Sequence, residues 1–497
     1  MTKKINIIGA GVAGLCAGSY LQMNGFETEI FEMHSEPGGL LCAWPRKDYT
    51  VEGCIHWLVG SGPGHSLYSL WNELVDMEDM EFVDHEEYMR VEDKRGRDIK
   101  IFTNTDRLEE ELLAKAPEDR ELIQDFIKAV RKMGSFDMNP AKAPETFNLF
   151  DGMRMMLKIL PHMGIFRKWG KLSLGEIAER CRNPLLAKTF QNMFTPETAS
   201  IFIIFTLAWM HNRQAGYPIG GSLKLARKLG KKYQELGGRI RYRSRVDKIL
   251  VENDRARGIR LEDGAEHRSD MVISAADGHA TLFHMLEGRY LDGEIKKRYQ
   301  ELKIFPSYFQ VSLGVSRTFE DEASWLMFPV EDPVVLDEKT AHTDIPVRIF
   351  NFDPTLAPEG KTLLTVMLLN SQSRKWVELR RNKRDQYNAE KKRIAEAVIE
   401  SLEHRFGGIK ENLEMTDVST PATVIRYTNN WKGSFEGWQM TPEVGFKRMS
   451  KTVPGLENFY HIGQWVEPGG GVPTGLRSGR NAAQIICKQE KRKFTTR

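Results

Sequence analysis

Short β-branched runs alternate with amphipathic stretches along this chain, and the first alternation is the sharpest. Lys4 to Ile8 (KINII) reads as a short, β-branched strand, buried as parallel strands are. Leu15, Ala17, Leu21 and Met23 then mark a helix, and Asn24-Gly25 supplies its C-terminal stop. Thr28 to Glu32 (TEIFE) reads as a second strand, completing a βαβ unit. Leu108, Leu112, Leu122, Phe126 and Val130 predict amphipathic helices within residues 105–135, and residues 377–406 read as one long charged helix. Tyr308 to Val315 (YFQVSLGV) and Thr362 to Leu369 (TLLTVMLL) read as strands of a sheet suited to flooring a cavity. Near the end, residues 458–475 give a strand and a glycine-rich loop, followed by a helix through Arg477, Ala482 and Ile486.

Composition narrows the picture. A chain of 497 residues implies two or three globular units, and 41% hydrophobic with 28% charged residues supports a sizeable core rather than disorder. The net charge of +3 is too mild to imply nucleic acid, and no nucleic-acid-binding signature accompanies it. Five scattered cysteines without a CxxC pair indicate neither a disulfide framework nor a metal site, and fit a reducing, cytoplasmic setting. The glycine spacing of the N-terminus is unlike a signal peptide. The longest apolar run, Ile201 to Met210, is about half of the roughly 20 residues that a membrane span needs.

The loop inside the βαβ unit carries the chemistry. In Gly9-Ala10-Gly11-Val12-Ala13-Gly14, Gly9 permits a tight turn and Gly11 lets backbone approach a pyrophosphate. Gly14 lets helix and strand pack closely, and the helix N-terminus offers free N–H groups. Glu32, eighteen positions after Gly14, is placed to accept the ribose hydroxyls of an adenosine. That much leaves NAD and FAD both open.

Four blocks resemble the superfamily of FAD-dependent phytoene desaturases, carotenoid isomerases and retinol saturases. They are Gly9 to Gly39, Tyr217-Pro-Ile-Gly-Gly-Ser222 with the leucines after it, Gly237 to Val246, and Gly463 to Ala483. Ser269 to Asp277 looks like that family's strand returning to the nucleotide domain. The resemblance implies FAD as the cofactor, with Gly38, Gly39 and Leu40 running beside the flavin pyrophosphate and ribitol. By the same likeness Val246 sets its backbone against the adenine, and Gly463, Glu467, Gly470, Gly471 and Val472 lie near the ribitol and isoalloxazine. Leu40-Leu41 stands where many phytoene desaturases carry Arg, a departure that tells against a desaturase more than against FAD, since isomerase-like members vary here too.

The fold class implied is α/β: a discontinuous Rossmann-type FAD-binding domain (1–85, 215–290 and 440–488) with an α+β substrate domain on a mixed sheet (86–214 and 291–439). Residues 489–497 form a basic tail. His56 is the catalytic candidate, able to move a proton beside a hydride. Trp57, Phe202, Phe205 and Trp209 are candidates for an apolar substrate wall, Cys54 reads as a buried thiol, and His461 as structural. His211 and Arg213 are weaker polar candidates. Residues 153–169 mix Met, Leu, Ile, Phe and Trp with Arg154, Lys158, Arg167 and Lys168, a composition suited to peripheral contact with the inner face of a membrane, broken at Pro161; a pair of core helices is the alternative.

The expected function is oxidation, reduction or isomerisation at C–C or C=C bonds of a hydrophobic polyene or isoprenoid. An amine-oxidase-type enzyme acting on C–N bonds and a non-catalytic flavin-binding assembly protein are the other readings. No second GxGxxG unit for NAD(P)H is present, so the electron donor or acceptor stays open.

Overall fold

The computed structural model describes residues 2–137, 141–467 and 469–497; Pro468, in the glycine-rich loop, lies outside them. At its centre is a five-stranded parallel sheet. Lys4–Ile8 sits in the middle, with Glu27–Phe31 and then Arg239–Arg241 on one side, and Met271–Ser274 and then Phe459–His461 on the other. Segments far apart in sequence therefore complete one Rossmann-type sheet, and Ile5, Ile7, Ile30, Val272 and Ile273 are fully buried in it.

The first helix, Val12–Met23, is buried along nearly its whole length and not on one face only. Two other helices enclose it. Gly221–Glu235 presses the Tyr233 ring onto Gly18, where a Cβ would stand 2.6 Å from the ring. Gly471–Gln489 approaches from the other side, where a Cβ on Gly479 would stand 2.5 Å from the Ala13 carbonyl oxygen. Gly14 packs as the sequence implies: a Cβ there would lie 2.1 Å from the Gly9 oxygen.

The second sheet has seven strands. In order they are Leu413–Ser419, Ser307–Val315, Thr362–Asn370, Thr340–Ile349, Trp325–Asp337, Glu87–Glu92 and Asp98–Phe102. Neighbours pair antiparallel except Trp325–Asp337 with Glu87–Glu92, so the sheet is mixed. Ser307–Val315 is buried at every position, which explains why its sequence shows no alternation.

The long helix expected over 377–406 is two helices, Ser373–Asn382 and Arg384–Phe406, broken at Lys383. The break lets Trp376 and Leu379 of one, and Tyr387, Ile394 and Val398 of the other, share one core beneath the sheet. Thr105–Lys115 and Arg120–Met133 form as the periodicity predicts.

Residues 149–169 form a helix (Leu149–Ile159), a tight turn holding Pro161, and a second helix (Met163–Trp169). The proline, lacking an N–H, interrupts the helical ladder. The outer face is apolar and open: Leu149 is 92% exposed, Phe150 75%, and Met156 and Leu157 64% each. Among the described residues no helix is long and apolar enough to cross a membrane.

The contact between the first and last helices generates a stability test. Gly479→Ala is expected to cost about 1–3 kcal/mol by overpacking, read as a lower urea midpoint. Gly152→Ala, in an exposed helix with nothing within 4 Å of the new Cβ, should leave the midpoint unchanged or raise it.

Candidate active site

A cleft of about 190 Å³ opens at the C-terminal edge of the parallel sheet, where open α/β sheets receive their ligands. Gly9, Gly11, Ala13 and Glu32 line it from the βαβ unit, and Gly38, Gly39 and Leu40 from the loop that follows. Val246, Gly463, Gly471 and Val472 arrive from distant segments. Gly9 (φ +95°), Gly38 (φ +121°) and Gly39 (φ +63°) hold backbone conformations that side chains disfavour. Gly11 differs: its φ of −69° suits any residue, and a Cβ would meet only the Gly38 oxygen at 3.9 Å. The protein's own packing does not require glycine there. A ligand passing close to the backbone does, so the cradle fits a dinucleotide pyrophosphate.

The Glu32 carboxylate accepts N–H bonds from Ala10 (2.7 Å) and His34 (2.8 Å) and lines the same cleft. Burial raises its pKa, against the pull of those bonds.

Three residues of the glycine-rich segments do not line the cleft itself. Gly14 is a packing glycine behind the loop. Gly470 lines a neighbouring, larger cavity. Glu467 is fully buried and lines neither space; its carboxylate binds Lys451 (2.7 Å), Arg448 (3.1 Å) and Arg477 (3.2 Å). Burial pushes its pKa up, yet these three cations hold it at about 2. Glu467 thus anchors the loop into which sequence reading placed it as a ligand contact.

The larger cavity measures about 650 Å³, the size of an ordinary small-molecule site. Trp57, Phe202, Phe205 and Trp209 line it, and the mixed sheet supplies Tyr308, Thr365, Met367 and Leu369. It meets the cleft at Leu40, Cys54, Phe435, Glu436, Gly471 and Val472, which line both.

Glu436 was not foreseen from the sequence. No spacing marks it, and only its aromatic surroundings (Trp431, Phe435, Trp438) hint at burial. It is half-buried at the junction, accepts the Gly471 N–H, and is pushed up to about 8 by burial. It is therefore largely protonated at neutral pH. Its carboxyl lies where a Gly470 Cβ would be, 2.2 Å from Oε2, which explains that glycine.

His56 lines the larger cavity but not the cleft. Its ring stacks on Trp325 (centroids 5.2 Å, 27°), and its Nδ1 is buried without a partner. Burial, and then Arg348, lower its pKa to about 3, so it is neutral at physiological pH and holds no imidazolium proton to give. The proton-bearing group at the junction is Glu436. The Cys54 thiol is raised well above its ordinary value, chiefly by burial and then by Glu52, as fits an inert thiol. His461 is buried in the parallel sheet, and His211 Nδ1 accepts the Thr105 N–H (3.3 Å) away from both spaces.

A polar clamp holds the Gly53–Trp57 segment. The buried Glu52 carboxylate accepts N–H bonds from Ser222 (2.8 Å), Cys54 (2.9 Å) and Ile55 (3.1 Å), as well as the Ser222 hydroxyl. Gln310 donates to the Glu52 carbonyl (2.8 Å). Gly221 is required here, since a Cβ would lie 2.1 Å from Glu52 Oε2.

This geometry defines a Rossmann-type protein with a glycine-lined cleft and an adjoining, largely apolar cavity. The family model described as flavin containing amine oxidoreductase matches residues 12–487, and the chain belongs to that family. It is 25% identical to a 4,4'-diapophytoene desaturase (4,4'-diapolycopene-forming) of Methylomonas sp, over 99% of this chain and 97% of the relative. It is 24% identical to the chloroplastic prolycopene isomerase of Arabidopsis thaliana, over 97% and 82%. A solved putrescine oxidase triple mutant, redesigned in cofactor binding, superposes with a TM-score of 0.64 at 14% identity, covering 98% of this chain and 99% of that one. The protein is a flavin-dependent oxidoreductase, and these matches agree with the resemblance to phytoene desaturases and carotenoid isomerases.

A carboxyl whose pKa is higher folded than unfolded makes folding take up a proton between the two values. Stability then falls as pH rises through that window. Wild type is expected to lose stability relative to Glu436→Gln between pH 4.5 and about 8, and to run parallel to it outside that range. Parallel thermal midpoints throughout would show that Glu436 is not raised.

Proposed function

We propose that the chain binds FAD in the glycine-lined cleft and acts on C–C or C=C bonds of a hydrophobic polyene or isoprenoid held in the larger cavity. The observation that carries this reading is the continuity of the two spaces through Glu436, Gly471 and Val472. An aromatic and aliphatic chamber opens directly beside the dinucleotide cradle. The names of the desaturase and isomerase relatives support the same class of substrate.

In this reading the parallel sheet and the loops after it hold FAD through Gly9, Gly11, Glu32, Gly38, Gly39, Val246 and Gly463, while the mixed sheet and Phe202, Phe205 and Trp209 form the substrate part. FAD supplies hydride chemistry when bound. Val472 and Leu40 exclude water at the junction, and Glu436 keeps a proton there up to about pH 8. Action on an amine fits less well. Of the carboxylates on the cavity wall, Asp344 pairs with Lys188 and Glu436 is largely neutral, so neither offers a free charge to an ammonium group.

The same reading takes substrate from an anionic bilayer. The exposed apolar face of Leu149–Trp169 is flanked by exposed Arg154, Lys158, Arg167 and Lys168, the pairing that suits an acidic lipid surface. Phe166 beneath it contacts Phe446 (5.8 Å) and Phe205 (6.0 Å), both on the cavity wall, so an aromatic path leads inward from that face.

Two measurements test this. Purified protein should carry FAD and, anaerobically, turn over long polyenes but not putrescine; turnover of amines alone would overturn the substrate class. In the same assay Gly11→Val should lose FAD affinity by at least about tenfold with an unchanged apoprotein melting curve. Separately, the protein should float with phosphatidylglycerol vesicles more than with phosphatidylcholine vesicles, and the double substitution Met153→Glu, Leu157→Glu should abolish flotation.

A further inference from the structure

Arg348 is a buried cation that forms no ion pair among the described residues. It lies on Thr340–Ile349, between Trp325 and Thr365 on the neighbouring strands, and is only 4% exposed. It lines the larger cavity. Its Nε and Nη2 have no hydrogen-bond partner, and among the described residues the carboxylate that acts on it, Glu52, does so without forming an ion pair. The nearby polar groups are committed elsewhere. The Tyr217 hydroxyl donates to Asp353 (3.0 Å), the Tyr88 hydroxyl to the Met193 carbonyl (2.7 Å), and the Glu52 oxygens are clamped by Ser222, Cys54 and Ile55. What surrounds the guanidinium is aromatic: it stands 5.1 Å from the Trp325 ring centroid and 5.7 Å from that of Phe350. His56, stacked on the same Trp325, brings a second unpartnered polar atom, Nδ1, to the same stretch of wall.

Burying a charge without a partner is strongly unfavourable, and a ligand of opposite charge would offset that cost. A guanidinium presents a planar fork of donors that matches a carboxylate. The flavin cleft does not use this group, since Arg348 lines only the larger cavity.

We infer that Arg348, with His56 beside it, receives a carboxylate at one end of the hydrophobic substrate, so that the preferred substrate is an acid-terminated apolar chain and not a pure hydrocarbon. The inference rests on the polyene reading for the nature of the chain, but the carboxylate requirement stands on Arg348 alone. The acid end would be held at the Arg348 wall while the chain runs through the apolar chamber toward the Glu436 junction. A substrate of this kind is what an oxidation of a terminal methyl, alcohol or aldehyde group to an acid would supply.

Equilibrium binding to the flavin-loaded protein tests this, read by quenching of tryptophan fluorescence. The probes are all-trans-retinoic acid, its methyl ester and all-trans-retinol, with palmitate and methyl palmitate as saturated counterparts. The acids are expected to bind at least about tenfold tighter than their esters or the alcohol. Arg348→Met should bring the acid-to-ester ratio to about one, and Arg348→Lys should keep part of it. Arg348→Met should also raise the thermal midpoint of the ligand-free protein, because it removes an uncompensated buried charge; a purely structural arginine would give the opposite shift. Equal binding of acids and esters by wild type, or an acid preference that survives Arg348→Met, overturns the inference and leaves the polyene reading intact. Arg348-dependent binding of palmitate without binding of any retinoid keeps the inference and sinks the polyene reading. Binding of none of the five probes overturns both.

Discussion

The rest of this structure depends on how closely its first helix is approached by its last. A Cβ on Gly479 would lie 2.5 Å from the Ala13 oxygen and 2.7 Å from the Ala17 nitrogen, and one on Gly475 3.0 Å from Val12. At Gly479 backbone meets backbone, and at Gly475 the last helix rests on the Val12 side chain. This contact brings the Gly463–Gly475 segment across the opening of the Gly9–Gly14 loop, although some 450 residues separate them. Without it the dinucleotide cleft would have a floor and one wall, and the junction with the larger cavity would not exist.

Around that contact, buried charges fix the segments that carry the chemistry. The Glu467 cluster pins the C-terminal loop to Arg448, Lys451 and Arg477. The Glu52 clamp pins Gly53–Trp57 to the N-terminus of Gly221–Glu235. Such groups are expensive to bury, and each is met by several donors or cations, so removing one partner would leave an unpaired charge inside. The tolerance for error is small at these points and larger along the apolar wall, where one hydrophobe can replace another of similar volume.

Glu436 and Arg348, both lining the larger cavity, are less fully met. Glu436 is met by one backbone N–H and stays largely protonated at neutral pH beside the flavin cleft. Arg348 is met by aromatic faces alone, and burial lowers its pKa to about 10. Incompletely satisfied groups of this kind are where a folded chain has given up stability for binding or catalysis.

The sequence by itself determined the βαβ unit with its dinucleotide loop and most of the apolar wall, while the choice of flavin came from the family resemblance. The unit and the wall rest on local patterns: glycines at fixed offsets, an acid at the end of a strand, and hydrophobes at helical or strand period. It also placed the strand near Met271 and the one near Phe459, because each sits next to a recognisable glycine or acid signal. It missed the break at Lys383, where two helices turn to share one core and charge periodicity runs on unbroken. It set Glu467 at the cofactor and made His56 the proton carrier, since residue type and proximity in sequence were all it had. Only the tertiary structure decided that Glu467 is an internal anchor, that His56 is neutral beside Arg348, and that Glu436 and Arg348 both face the larger cavity. The reason is that a pKa or an unpaired charge is set by every segment packed around a group, and those segments come together only when the chain folds.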